Sequence, residues 1–132
     1  MEFVKLALRD SNNGYTYKGS SSIKMDIIGM FLATDVGCYW PTYREWALAN
    51  KNDPKSLFTY SFGGNTTALE EKGNYIFLTD EHSAEKKPTK FRISCAQFIQ
   101  LLDDWKEMVC DKKPKEVIIK YENDQFIIEA KD

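Results

Sequence analysis

A chain of 132 residues with 42% hydrophobic, 14% aromatic and 29% charged residues has the size and composition of one globular domain, and disordered or collagen-like classes are excluded. Eighteen Lys and Arg against twenty Asp and Glu leave a formal charge of −2, so no global basic field exists to hold a phosphate backbone. Direct nucleic-acid binding is not expected.

Residues 2–9 alternate, with Val4, Leu6 and Leu8 on one side and Lys5, Ala7 and Arg9 on the other, which predicts a strand with one buried face. Asp10 to Gly14 is turn-forming, and Tyr15 and Tyr17 open a second short strand. Ser20-Ser21-Ser22 can cap a helix. Ile23, Ile27, Met30 and Phe31 then fit helical spacing, although Ile27-Ile28-Gly29 also fits a bulged buried strand; the reading leans to helix over 23–34. Pro41 suits a first helical turn, and Tyr43, Trp46, Ala47 and Asn50 follow it at helical spacing, predicting a short helix from about 41 to 50.

From Leu57 the pattern becomes short runs separated by glycine-containing turns: 57–62, 66–70 and 75–79, which read as a meander. The polar stretch 80–88, closed by Pro88, reads as a surface loop. A helix over about 94–110 begins at the Ser94/Gln97 capping box. It carries Phe98, Leu101, Leu102, Trp105, Met108 and Val109 on one stripe. Lys112 and Lys113 favour its carboxyl end and Pro114 forbids continuation. Residues 116–121 and 126–129 flank a polar tetrad as a final hairpin. The expected architecture is therefore a single α+β domain, 1–132, with a mostly antiparallel sheet from the strands between 57 and 93 and the final hairpin, packed on the 94–110 helix.

Cys38, Cys95 and Cys110 are odd in number and widely spaced, so neither a disulfide framework nor a zinc site is indicated and reduced thiols are expected. One histidine, His82, follows Asp80 and Glu81 in the polar loop and reads as a solvated residue rather than a base. Cys95 lies in the first turn of a helix, where the helix dipole can lower a thiol pKa, but a small buried or half-buried residue is the simpler reading. No metal-ligand spacing appears, and Gly63-Gly64 is not followed by the Lys-Ser/Thr of a phosphate loop. No nucleophile, base and orienting group assemble, so catalysis, metal and cofactor are not expected. The start lacks the pattern of a secretory signal, and no apolar run is long enough to cross a bilayer, which points to a cytoplasmic protein.

The acid pairs Glu70-Glu71, Asp80-Glu81 and Asp103-Asp104 sit in segments that read as exposed. The aromatic residues are densest in 38–46. Tyr39, Trp40, Tyr43 and Trp46 are therefore candidate anchors of an interface, with Glu70, Glu71, Asp80, Glu81 and Glu85 as its acidic part; the plainer reading places Trp40 and Trp46 in the core.

Residues 60–130 resemble the small bacterial immunity proteins of polymorphic and contact-dependent growth inhibition toxin systems. The resemblance is carried by Gly64-Asn65-Thr66 and Gly73-Asn74-Tyr75-Ile76-Phe77-Leu78. It continues through Phe98, Leu101, Leu102 and Trp105 to Pro114-Lys115-Glu116-Val117-Ile118-Ile119. It covers about half the chain, through scaffold positions, and does not extend into the first sixty residues. It implies a non-enzymatic cytoplasmic inhibitor that binds a cognate toxin domain, commonly a nuclease, and blocks its active site or substrate path. An acidic surface can compete with phosphate for a basic cleft. The alternative is a small-molecule-binding or enzymatic α+β domain whose aromatic residues line a pocket.

Overall fold

Alternation and capping act where expected, and long-range pairing then decides how the strands are shared out. The computed structural model describes residues 2–9, 14–50, 58–61, 67–80 and 90–132. Within them the order is β1 (Glu2–Leu8), β2 (Tyr15–Ser20), α1 (Ile23–Met30), α2 (Trp40–Asn50), β3 (Phe58–Ser61), β4 (Thr67–Lys72), β5 (Tyr75–Asp80) and β6 (Lys90–Ser94). Next come α3 (Cys95–Trp105), β7 (Glu116–Glu122) and β8 (Gln125–Lys131). The chain is α+β, as expected.

Two antiparallel four-stranded sheets form, not one. Sheet I has the order β2-β1-β7-β8 and sheet II the order β3-β4-β5-β6. The final hairpin therefore joins the amino-terminal strands instead of the meander. The reason lies in register: Val4 opposes Ile119 and Leu6 opposes Val117, and all four are buried, so pairing β1 with β7 aligns two apolar faces. The hairpin closes on Asn123 and Asp124 at φ 52° and 60°, the two left-handed residues that a tight turn of this twist requires.

Helices α1 and α3 contact both sheets. α1 touches β1, β2 and β5, and α3 touches β8, β5 and β6. α1 starts at Ser22, whose Oγ accepts the Met25 amide at 3.2 Å, and it buries Met25, Ile27, Ile28 and Gly29. Its exposed positions include the apolar Ile23, which is why the sequence lacks a clean amphipathic stripe. Gly29 lies against Val4, where a Cβ would stand 2.5 Å from the valine Cγ2. α3 has the expected reciprocal cap: the Gln97 amide donates to Ser94 Oγ at 3.0 Å, and the Ser94 amide donates to Gln97 Oε1 at 2.8 Å.

α1 and α3 both end in π-helical turns, Phe31–Val36 and Lys106–Cys110. The widened ladder shows where the Gly37 amide donates to the Leu32 carbonyl and the Asp111 amide to the Lys106 carbonyl, each at 2.9 Å. One core joins these layers: Phe31, Leu32, Phe98, Leu102 and Trp105 from the helices, Leu6, Val117 and Phe126 from sheet I, Leu69, Ile76 and Leu78 from sheet II.

Candidate functional site

Tyr39 precedes α2, and the helix then carries Trp40, Tyr43 and Trp46. Tyr43, Trp46 and Ala47 recur on one face and are buried, whereas Tyr39 is 74% exposed and Trp40 is half-buried. Tyr43 packs edge-on to Phe31 at 5.3 Å between centroids, and Trp46 edge-on to Phe98 at 6.1 Å. Tyr43 and Trp46 are thus core residues, which corrects their expected place at an interface. Trp40 carries the Lys106 ammonium 5.8 Å from its ring centroid.

The acids divide too. In β4 the period-two pleat points Thr67, Leu69 and Glu71 inward and leaves Ala68 and Glu70 only partly covered. Glu70 faces Lys90, with 3.7 Å between Oε1 and Nζ. Glu71 is 1% exposed, and among the described residues neither carboxyl oxygen has a hydrogen-bond partner. Burial pushes its pKa from 4.5 to about 7. The expectation that Glu70-Glu71 forms one exposed acidic pair is therefore overturned, because adjacent residues of a strand face opposite sides of the sheet. Glu81, Glu85 and His82, the side chain of Asp80, and most of the 80–88 loop lie outside the described residues.

A different acidic surface emerges between α2 and α3. A groove of about 430 Å³ there is lined by Ala47, Leu48, Ala96 and Ile99, with Gln100, Asp103 and Asp104 along its polar rim. Arg44 Nε donates to Asp103 Oδ1 at 2.8 Å and ties the two helices together. Burial raises the pKa of Asp104, while the Gln100 amide, donating to Oδ2 at 3.1 Å, acts to lower it. The sequence placed Asp103 and Asp104 on the polar side of a helix, but the apolar floor draws on both α2 and α3 and depends on how the helices pack.

At the other end of α3, a cleft of about 380 Å³ is lined by Tyr15, Tyr39, Trp105, Cys38, Cys110 and Lys113, among others. Tyr15 donates its hydroxyl to the Pro114 carbonyl at 2.6 Å, and burial pushes that phenol up to about 12. The Trp105 indole N–H donates to the Gly37 carbonyl at 2.7 Å. Cys38 and Cys110 meet here with their sulfurs 3.0 Å apart, both as free thiols. Nothing in the one-dimensional spacing signals this pair, since 72 positions separate the two residues. Cys95 is buried at the start of α3, as its simpler reading requires.

Among the described residues no group of three or more His, Cys, Asp or Glu is placed to hold a metal ion. Among them, too, no helix is long and apolar enough to cross a membrane. No family model matches the chain, and no curated protein and no solved structure matches it.

Proposed function

We propose that this chain is a non-enzymatic immunity protein that acts in the cytoplasm by binding a cognate toxin domain, a nuclease, and covering its active site or substrate path. The observation that supports this best is Tyr39, a large aromatic residue left 74% exposed on a small folded domain. Aromatic side chains placed this way serve as anchors, because they bury much area for little lost rotamer freedom. Trp40 follows it as a half-covered ring, and toward the other end of α3 the acid-rimmed groove shared with α2 adds the carboxylates of Asp103 and Asp104. Such carboxylates suit a basic, phosphate-binding target, which they attract and then occupy.

The test is co-expression with a toxin-like protein encoded immediately upstream. The reading requires a stoichiometric complex, rescue of growth, and loss of rescue on Tyr39→Ala with folding retained. Absence of both complex and rescue overturns it. The second reading, a small-molecule-binding domain, has support in the cleft lined by Tyr15, Tyr39 and Trp105. A metabolite that raises the melting temperature of the isolated protein and contacts Trp105 would favour that reading.

A further inference from the structure

Cys38 and Cys110 stand 3.0 Å apart, Sγ to Sγ, although neither is bonded to the other. A disulfide needs about 2.05 Å, so roughly 1 Å of approach separates the thiols from a bond. Small rotations of two side chains cover that distance. The placement is built by the backbone at both ends. α1 runs on into a π-helical turn, after which Gly37, at φ 49°, reverses the chain and delivers Cys38. A left-handed residue of this kind favours glycine. Cys110 is the last residue of the matching turn that ends α3. Between them the Gly37 carbonyl accepts from the Trp105 indole at 2.7 Å and from the Cys110 thiol at 3.3 Å, which holds the two helix ends together.

The two thiols also differ in access. Cys38 is exposed and Cys110 is half-buried behind it, while the third cysteine, Cys95, is 3% exposed in the core. One sulfur can meet a reagent from solution and the second waits next to it, the order that a two-step exchange requires.

We infer that Cys38 and Cys110 form a redox-active dithiol, which a low-molecular-weight disulfide of the glutathione type converts into an intramolecular disulfide at the mouth of the cleft. The Cys38 thiolate attacks one sulfur of the small disulfide, forming a mixed disulfide and expelling one small thiolate, which takes up a proton. Cys110 then loses its proton and attacks Cys38 Sγ, expelling the second small thiolate, which is protonated in turn. Two hydrogens leave the protein as two protons and two electrons, and one small disulfide becomes two thiols. Burial, with Cys38 beside it, pushes the Cys110 thiol up to about 12, which leaves the first attack to Cys38. The bond staples the end of α1 to the end of α3 and fixes the backbone next to Tyr39. This dithiol stands whether or not the chain binds a toxin.

The experiment is to incubate the full chain with excess glutathione disulfide, block remaining thiols under denaturing conditions, and map the peptides by mass. The expected product has lost two hydrogens, links the Cys38 and Cys110 peptides, and keeps Cys95 as its one blockable thiol. It returns to the parent mass with dithiothreitol and melts roughly 10–15 °C higher than the reduced form. Cys110→Ser should stop at the glutathione adduct on Cys38, and Cys95→Ala should oxidise like the parent. A parent that keeps three blockable thiols, retains glutathione on Cys38, or pairs either cysteine with Cys95 overturns the inference. That measurement on the parent decides the matter even if a variant fails to fold.

Discussion

The indole N–H of Trp105 donates to the carbonyl oxygen of Gly37 across 2.7 Å, so the last residue of α3 holds the turn that follows α1. The same ring meets Tyr15 edge-on at 5.9 Å and is 1% exposed. Trp105→Ala should therefore cost about 3–5 kcal/mol, the range for emptying an aromatic site in a core. Trp105→Phe keeps most of the volume but removes the indole donor, leaving the Gly37 carbonyl with the weaker Cys110 thiol, for a cost of about 1–2 kcal/mol. Denaturant midpoints of the two variants check both values, and an unchanged midpoint for the alanine variant contradicts the core position.

Gly29 has no room for a side chain, since a Cβ would lie 2.5 Å from Val4 Cγ2 and 3.2 Å from Cγ1. Alanine ordinarily gains up to about 1 kcal/mol over glycine in a helix. Here the clash with a fully buried valine wins, and Gly29→Ala should destabilise by about 1–3 kcal/mol. Adding Val4→Ala should recover part of the loss attributed to the clash, which a double-mutant cycle on melting data measures directly.

Glu71 makes stability fall as pH rises. Its pKa is about 7 in the fold against an ordinary 4.5, so between those values the folded state holds a proton that the unfolded chain has released. Its contribution declines through that window and is flat above it. Glu71→Leu should remove this slope, and near pH 8 it should be more stable than the parent by about 2–3 kcal/mol. Urea midpoints of parent and variant near pH 5 and near pH 8 check the sign; equal slopes for the two proteins would show that Glu71 ionises freely.

Tyr39→Ala and Tyr43→Ala should separate binding from folding, though the two rings are only one helical turn apart. Tyr39→Ala should change stability by less than about 0.5 kcal/mol, as expected for an exposed site. On a cognate partner, it should lose about 2 kcal/mol or more of affinity if it is an anchor. Tyr43→Ala, at 2% exposure, should unfold the domain more readily. Reversing Asp103 and Asp104 to lysine should slow association and flatten its salt dependence, read by stopped-flow at two ionic strengths.

What could be read in the sequence was what neighbours decide. The Ser94/Gln97 cap, the stripe of α3 and the alternation of Val4 and Leu6 each depend on a few adjacent positions, and each has its expected form. The sharing of strands between two sheets was not legible, because it rests on pairing Val4 with Ile119 across most of the chain. Helix α1 was ambiguous for a different reason, since apolar residues fall on both its sides: Met25, Ile27 and Ile28 are buried while Ile23 is exposed, which blurs the helical period. Within the candidate site, a dense run of aromatics was visible, but which rings face solvent was not. That depends on where α2 begins and on the face it turns inward: Tyr39 precedes the helix and is exposed, whereas Tyr43 lies within it and is buried. The meeting of Cys38 with Cys110 is likewise a product of topology.

Sheet I also sets an order of events during synthesis. Its inner strands are β1 and β7, whose facing residues Val4 and Ile119 leave the ribosome 115 residues apart, whereas in sheet II each strand pairs only with its immediate predecessor and successor. The meander and α3 can assemble while the chain is still growing; Val4 and Leu6 must wait for the strand that faces them. Until Glu122 has cleared the exit tunnel, the amino-terminal hairpin is a nascent segment without its central neighbour, and a protease added to stalled chains should cut it there and spare it afterwards.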